Sequence, residues 1–155
     1  MAIDKVNYKG DPNIGFYGVV TSKYTLLPKE LKGDVFSLEN IVMRIGGEPF
    51  TGLFAAGNIN GLVLPEVTKK REIKKLEEKN INYKVLETNF TALGNLILCN
   101  DTGAIISKEL SDQKEIIEEV LDVKVKVSSI GGLDIPGSCG IANSNGVLLH
   151  RNATD

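Results

Sequence analysis

Tryptophan is absent from this 155-residue chain, histidine occurs once, at His150, and cysteine twice, at Cys99 and Cys139. Two cysteines without a Cys-x-x-Cys pair, joined by one histidine, cannot supply the four ligands of a structural zinc site, so no metal and no cofactor is expected. Both cysteines lie in apolar runs, where a free thiol behaves as a small buried hydrophobe. No apolar run reaches the roughly 18 residues that a membrane-spanning helix requires. The start, Met1-Ala2-Ile3-Asp4-Lys5, has neither the basic flank nor the apolar stretch of a secretion signal, which makes the cytoplasm the expected location. A basic excess is also missing: Lys and Arg total 18 against 20 Asp and Glu, a formal net charge of −2. That balance argues against broad binding to phosphate backbones and leaves contact with basic proteins open. The densest positive run is Lys69-Lys70-Arg71 followed by Lys74 and Lys75. Its neighbours Ile73, Leu76 and Ile81 have helical spacing, which places the cations on an outer face, either simply solvated or touching RNA.

What is present is a repeat. Gly15, Gly52, Gly94 and Gly137 anchor four copies, separated by steps of 37, 42 and 43 residues. Six positions after each anchor stand Thr21, Asn58, Asn100 and Asn143; nine after, Tyr24, Gly61, Gly103 and Gly146; thirteen after, Pro28, Pro65, Ser107 and His150. Five before each stand Gly10, Gly47, Asn89 and Gly132. The anchor is expected to open an apolar strand (Phe16 to Val20, Leu53 to Ala56, Leu96 to Cys99, Cys139 to Ala142). An Asn/Gly turn follows, in which positive φ is expected, and then a second strand: Leu62-Val63-Leu64, Ala104-Ile105-Ile106 and Val147-Leu148-Leu149. The residue five before the anchor is expected at positive φ in the entering loop. Helices should follow the hairpins. Ser111-Asp112 reads as the N-cap of one, with Ile116, Ile117, Val120 and Leu121 on its apolar face. Thr68 reads as the cap of another running through Lys79. Tyr83–Leu86 and the alternating Val123–Val127 read as strands leading to the next copy. The first helix has the weakest signal, with Phe36, Leu38, Ile41 and Val42 in a shortened segment. Residues 1–155 thus read as one α/β domain with hairpin units near 10–28, 47–65, 89–107 and 132–150. A copy that cannot bury its own apolar faces points to a ring or a solenoid.

Ala92-Leu93-Gly94-Asn95 with Asn100-Asp101, Ile45-Gly46-Gly47, Gly57-Asn58, Gly61-Leu62-Val63-Leu64-Pro65 and Asn13-Ile14-Gly15 together resemble the corresponding stretches of the archaeal and eukaryotic translation initiation factor six family. The resemblance implies a pentein, a five-bladed α/β propeller. It also implies a non-enzymatic role: binding the large ribosomal subunit on the face the small subunit would occupy, with a part in large-subunit maturation. Partners would be ribosomal proteins near the interface and nearby rRNA, with no small-molecule substrate. The ribosome-facing residues it suggests are Phe16, Leu53, Leu93, Asn95 and Ser138. Asn95 reads either as a contact or as a strand-end hydrogen bond. Against a five-unit family the first unit is short. The fourth hairpin ends at His150 and the sequence at Asp155, before any fourth helix, so the chain is expected to be a piece of a longer polypeptide or an associating species. Two other functions remain open. One is a pentein-type arginine-modifying enzyme using Cys99 or Cys139 with His150; the other is a repeat scaffold for another protein.

Overall fold

A computed structural model describes residues 5–31 and 37–153. They form four small sheets, one per copy of the repeat. In the first, β1 (Val19–Val20) pairs antiparallel with β2 (Tyr24–Leu27), and β3 (Glu39–Val42) lies parallel to β2. The second copy opens with a one-turn helix α1 (Thr51–Phe54) and builds β4 (Ala56–Gly57), β5 (Leu62–Pro65), helix α2 (Lys70–Glu78) and β6 (Tyr83–Leu86) in the same order. The third repeats it with α3 (Leu93–Leu96), β7 (Ile97–Cys99), β8 (Gly103–Ile106), α4 (Lys114–Leu121) and β9 (Lys124–Val127). The fourth is the antiparallel pair β10 (Gly140–Asn143) and β11 (Gly146–Leu149). Each complete copy is therefore a hairpin followed by a crossover to a parallel strand. The mixed α/β class and the hairpin–helix–strand order expected from the sequence are both present, whereas the described residues do not close into a ring.

Packing explains the order. Leu62, Val63 and Leu64 of β5 are fully buried, since this strand is covered on both faces. One core joins Val63 and Leu86 to Leu93, Ile106, Ile117 and Leu121, which binds the second copy to the third. A second core does the same for the first two copies through Leu26, Ile41, Met43, Leu62, Leu64 and Leu76. Helix α4 buries Ile117, Val120 and Leu121, as the spacing predicts, with Ile116 partly covered. It stops at Asp122, whose φ of 49° is the left-handed stop common at helix ends.

Several local expectations are corrected. The anchor glycines do not open strands. Gly15 and Gly137 sit in single 3-10 turns (Ile14–Phe16 and Pro136–Ser138), and Gly52 and Gly94 sit in α1 and α3. The strands start three or four residues later. The hairpin-turn glycines Gly61, Gly103 and Gly146 do not adopt positive φ, whereas Gly10, Gly47 and Gly132 do, at 93°, 98° and 80°. The hairpin turns are shaped instead by asparagine side chains: Asn58 Oδ1 accepts from the N–H groups of Asn60 and Gly61, and Asn100 and Asn143 do the same in their copies. Such side-chain closure needs no left-handed residue. Asn89, in the third copy's entering loop, has no positive φ.

The helix caps also move. Ser111-Asp112 lies inside a 3-10 segment, Lys108–Gln113, whose start is held by Ser107 Oγ accepting from the Glu109 N–H at 3.2 Å. Thr68 donates its hydroxyl to the Pro65 carbonyl (2.7 Å) and does not cap α2; Glu72 does, its Oε2 accepting from the Lys69 N–H (2.8 Å). Ile41 and Val42, placed in a first helix by the sequence, belong to strand β3; Phe36 lies outside the described residues.

Candidate functional site

The four one-turn helices stack on one another, α1 against the Ile14–Phe16 turn, α3 against α1, and the Pro136–Ser138 turn against α3. Glycine is what permits the approach. A Cβ on Gly52 would meet the carbonyl oxygen of Gly15, one on Gly94 that of Gly52, and one on Gly137 that of Gly94. A helical turn advances about 100° per residue, so three successive side chains point three ways. The residue before the glycine turns inward: Thr51, Leu93 and Pro136 are buried. The glycine faces the neighbouring turn, and the residue after it faces out.

Phe16, Leu53, Asn95 and Ser138 are those outward residues. With Asn13 and the four glycines they line one open depression of about 430 Å³. No charged side chain lines it. Phe16 is 47% exposed. Ser138 Oγ donates to Asn95 Oδ1 across two copies at 3.0 Å, so the Asn95 amide is held by a neighbour rather than by a strand end. The structure thus gathers four of the five residues suggested for ribosome contact. Leu93 is the exception: it is 0% exposed and packs in the core with Leu86 and Ile106. In a strand, residues 93 and 95 would share a face; in a helical turn they point to opposite sides.

The sequence reading missed what holds this rim at its first copy. Asp11 Oδ1 accepts from the Asn13 N–H and side-chain amide (both 2.8 Å), and Oδ2 accepts from the Tyr17 hydroxyl at 2.7 Å. These donors, the Asn13 backbone foremost, hold the Asp11 carboxyl below its ordinary pKa, and the same pairing raises that of Tyr17. Tyr17 stacks on Tyr8 with ring centroids 4.1 Å apart and meets Phe50 at 5.4 Å. The signal was an Asp two residues before an Asn, the pattern of a side-chain-closed turn.

At the opposite end of the hairpins the turn asparagines couple the copies. Asn58 Nδ2 donates to the carbonyls of Asn100 (3.1 Å) and Leu121 (2.8 Å), and Asn100 Nδ2 to that of Asn143 (3.1 Å). In the first copy Thr21 takes the asparagine slot and cannot reach across; the Tyr24 hydroxyl donates to the Asn58 carbonyl instead (2.8 Å). A second depression of about 270 Å³ opens here, lined by Thr21, Asn58, Cys99, Asn100, Asp101 and Asn143 among others.

The cysteines do not form a nucleophilic site. Cys99 Sγ donates to the Gly57 carbonyl at 3.4 Å, and burial pushes its pKa up to about 12, which leaves the thiol protonated near neutral pH. Cys139 and His150 are cross-strand neighbours, the His150 N–H donating to the Cys139 carbonyl at 2.7 Å. Yet the imidazole Nδ1 accepts from the Asn152 N–H (3.3 Å), and the Cys139 side chain is buried against Leu98 and Ile130. Among the described residues no group of three His, Cys, Asp or Glu side chains is placed to hold a metal, and no helix is long and apolar enough to cross a membrane.

Stacked copies of one hairpin–helix–strand unit, with an uncharged rim at one end, define an α/β repeat protein. The chain belongs to the eIF-6 family, whose model matches residues 3–155. It is 36% identical over 161 residues to translation initiation factor 6 of Methanocaldococcus jannaschii, covering 96% of this chain and 71% of that protein. It is 38% identical over 141 residues to translation initiation factor 6 of Methanothermobacter thermautotrophicus, covering 86% of this chain and 64% of that one. The namesake from Thermococcus onnurineus is 31% identical over 169 residues, covering all of this chain and 74% of its own length. The chain is thus related to translation initiation factors over most of its length and spans about two thirds to three quarters of theirs.

Proposed function

We propose that this chain is part of a factor that binds the large ribosomal subunit on its intersubunit face and keeps the small subunit from joining prematurely, with a part in large-subunit maturation in the cytoplasm. Its four copies are read as an arc of a pentein-type propeller, and the rim at Phe16, Leu53, Asn95 and Ser138 as the contact. The observation that carries the reading is the rim itself. Each copy of a chain related to translation initiation factors sends the residue after its anchor glycine into one shared, uncharged depression. An uncharged rim with one large exposed apolar side chain, Phe16, suits a protein partner better than a phosphate backbone. Leu93 is not part of this proposal, because its side chain lies in the core.

Co-sedimentation of the chain with purified large and small subunits tests the reading directly. Binding to large subunits alone, with subunit joining suppressed in proportion to occupancy, is the expected result. Binding to bare ribosomal RNA fragments as tight as to intact subunits would remove the protein-contact reading.

A further inference from the structure

A cationic groove, separate from the rim, runs between the end of β3 and the outer face of α2. We propose that it holds the phosphodiester backbone of RNA without reading sequence. The groove encloses about 420 Å³, and Lys29, Arg44, Arg71 and Lys75 line it against one carboxylate, Glu72. Both oxygens of Glu72 are engaged from the other side, Oε2 accepting from the N–H groups of Gly46 and Lys69 and Oε1 from that of Gly47. The carboxylate therefore fastens the loop that forms the groove wall. Lys29 and Arg71 form no salt bridge among the described residues, Lys75 donates to the Val42 carbonyl at 2.7 Å, and Arg44 is fixed by Glu30 and donates to the Gly47 carbonyl. A fixed guanidinium beside cations that have no carboxylate partner among the described residues is an arrangement suited to phosphate. A chain of net charge −2 can still attract an anion locally, because charges more than about 10 Å away are screened at moderate salt.

No aromatic side chain lines the groove, so bases would have no stacking platform and recognition falls to the backbone. Place matters as well. Gly47 of the groove wall and Gly52 of the rim are five residues apart, a reach of at most about 18 Å. A surface seated on the rim would bring its neighbouring RNA phosphates within range of the groove. That last point rests on the proposed ribosomal role; the groove's affinity for phosphate does not. An acidic peptide is the competing occupant, and the forked guanidinium groups and RNA-bearing target favour RNA.

The test uses fluorescence anisotropy of this chain with a labelled oligouridine of about 15 nucleotides, from about 50 to 200 mM KCl. Four phosphate contacts predict a slope of log K against log salt near −2.8, at about −0.7 per contact on a single strand. Replacing two cations, in the K29Q/R71Q variant, should halve that slope and weaken binding roughly 60-fold at about 50 mM salt. K84Q/K126Q, on strands β6 and β9 and outside the groove lining, serves as the control and should change neither. Because Lys29 and Arg71 are exposed, melting of the variant should match the parent; if it does not, K29Q and R71Q singly must each lower the slope by about 0.7. An unchanged slope in K29Q/R71Q overturns the groove, and so does a polyglutamate of matched charge that displaces oligouridine at equal concentration, which would assign an acidic peptide. The same variant should flatten the salt dependence of large-subunit binding. Unchanged salt dependence there, with intact subunit binding, sinks the groove and spares the rim. Groove-dependent oligouridine binding with no subunit binding does the reverse.

Discussion

Four glycines hold one slot of the repeat, yet replacing them by alanine should not give four equal answers. An ideal Cβ on Gly94 would stand 2.0 Å from the Gly52 carbonyl oxygen and 2.9 Å from that of Leu53. An ordinary nonbonded contact needs about 3.5 Å, so the stacked turns would have to part by more than 1 Å. Both obstructing atoms are backbone, which cannot swing aside as a side-chain end can. Overpacking of this kind costs about 3 kcal/mol. Against it stands the entropy lost from the unfolded chain when glycine becomes alanine, which favours the variant by about 0.4–1 kcal/mol. Gly94→Ala should therefore destabilise by about 2 kcal/mol, and Gly52→Ala and Gly137→Ala similarly. At Gly15 an added Cβ meets nothing within 4 Å, and φ there is not positive. Only the entropic and helical gains remain, so Gly15→Ala should be neutral or stabilising by up to about 1 kcal/mol.

Urea unfolding followed by circular dichroism reads the difference. For a chain of this size each kcal/mol moves the melting temperature by about 2–4 °C, so Gly94→Ala should melt about 4–8 °C below the parent. A Gly94→Ala chain within about 0.5 kcal/mol of the parent would refute the stacking argument. Gly15→Ala losing as much as Gly94→Ala would refute it equally, because the two would then share a requirement for glycine that has nothing to do with the neighbouring turn.

The remaining predictions can be checked on the same material. Tyr24→Phe removes the donor to the Asn58 carbonyl in a buried setting and should cost about 1–2 kcal/mol by urea unfolding. Glu118 accepts from the Val125 N–H at 2.9 Å, which with Lys114 lowers its carboxyl below the ordinary value of 4.5. Its contribution is thus present above that pH and lost as pH falls through the lowered folded value, so Glu118→Gln should destabilise at pH 7 and match the parent near pH 2. In a Cys139→Ala background, native Cys99 should alkylate with iodoacetamide at pH 8 roughly a thousandfold more slowly than in urea, as a thiol pKa near 12 requires; equal rates would restore it as a nucleophile candidate. Asn95→Ala should weaken large-subunit binding by about 1–2 kcal/mol with little change in melting. A large melting loss with unchanged affinity would make its bond to Ser138 structural only.

The repeat, its hairpins, both long helices and the strands Tyr83–Leu86 and Lys124–Val127 were legible because each depends on hydrophobic periodicity or on turn chemistry within a few residues. The one-turn helices were not. Four residues are too few to show a 3.6-residue period, and an apolar run of that length reads equally well as a strand. The misreading placed Leu93 beside Asn95. Glu72 as the cap of α2 was hidden for another reason: its carboxylate serves the amides of Gly46 and Gly47, 26 and 25 positions earlier, and no local pattern encodes a contact between residues so far apart in the chain.

The same geometry explains why the rim was legible and why its residues differ so much. Besides the shared cores, the copies are fixed to one another by glycine against a carbonyl at one end of each hairpin and by asparagine side-chain amides donating to carbonyls at the other. Neither set of contacts depends on the side chain that follows the glycine, although Ser138 and Asn95 also bond to each other across two copies. That slot holds Phe16, Leu53, Asn95 and Ser138, an aromatic, an aliphatic, an amide and a hydroxyl, and the helical turn directs each of them outward whatever its chemistry. Fold and surface are thereby separated by a single position in the chain. A substitution at the glycine acts on stability, and one at the next residue acts on what the rim can bind. If the depression were merely a by-product of packing, exchanging Asn95 and Ser138 for each other would change neither melting nor large-subunit binding. If it is a contact surface, that exchange preserves the hydroxyl–amide pair across the two copies, keeps the melting temperature, and still lowers affinity, because the donor and acceptor presented to the partner have traded places.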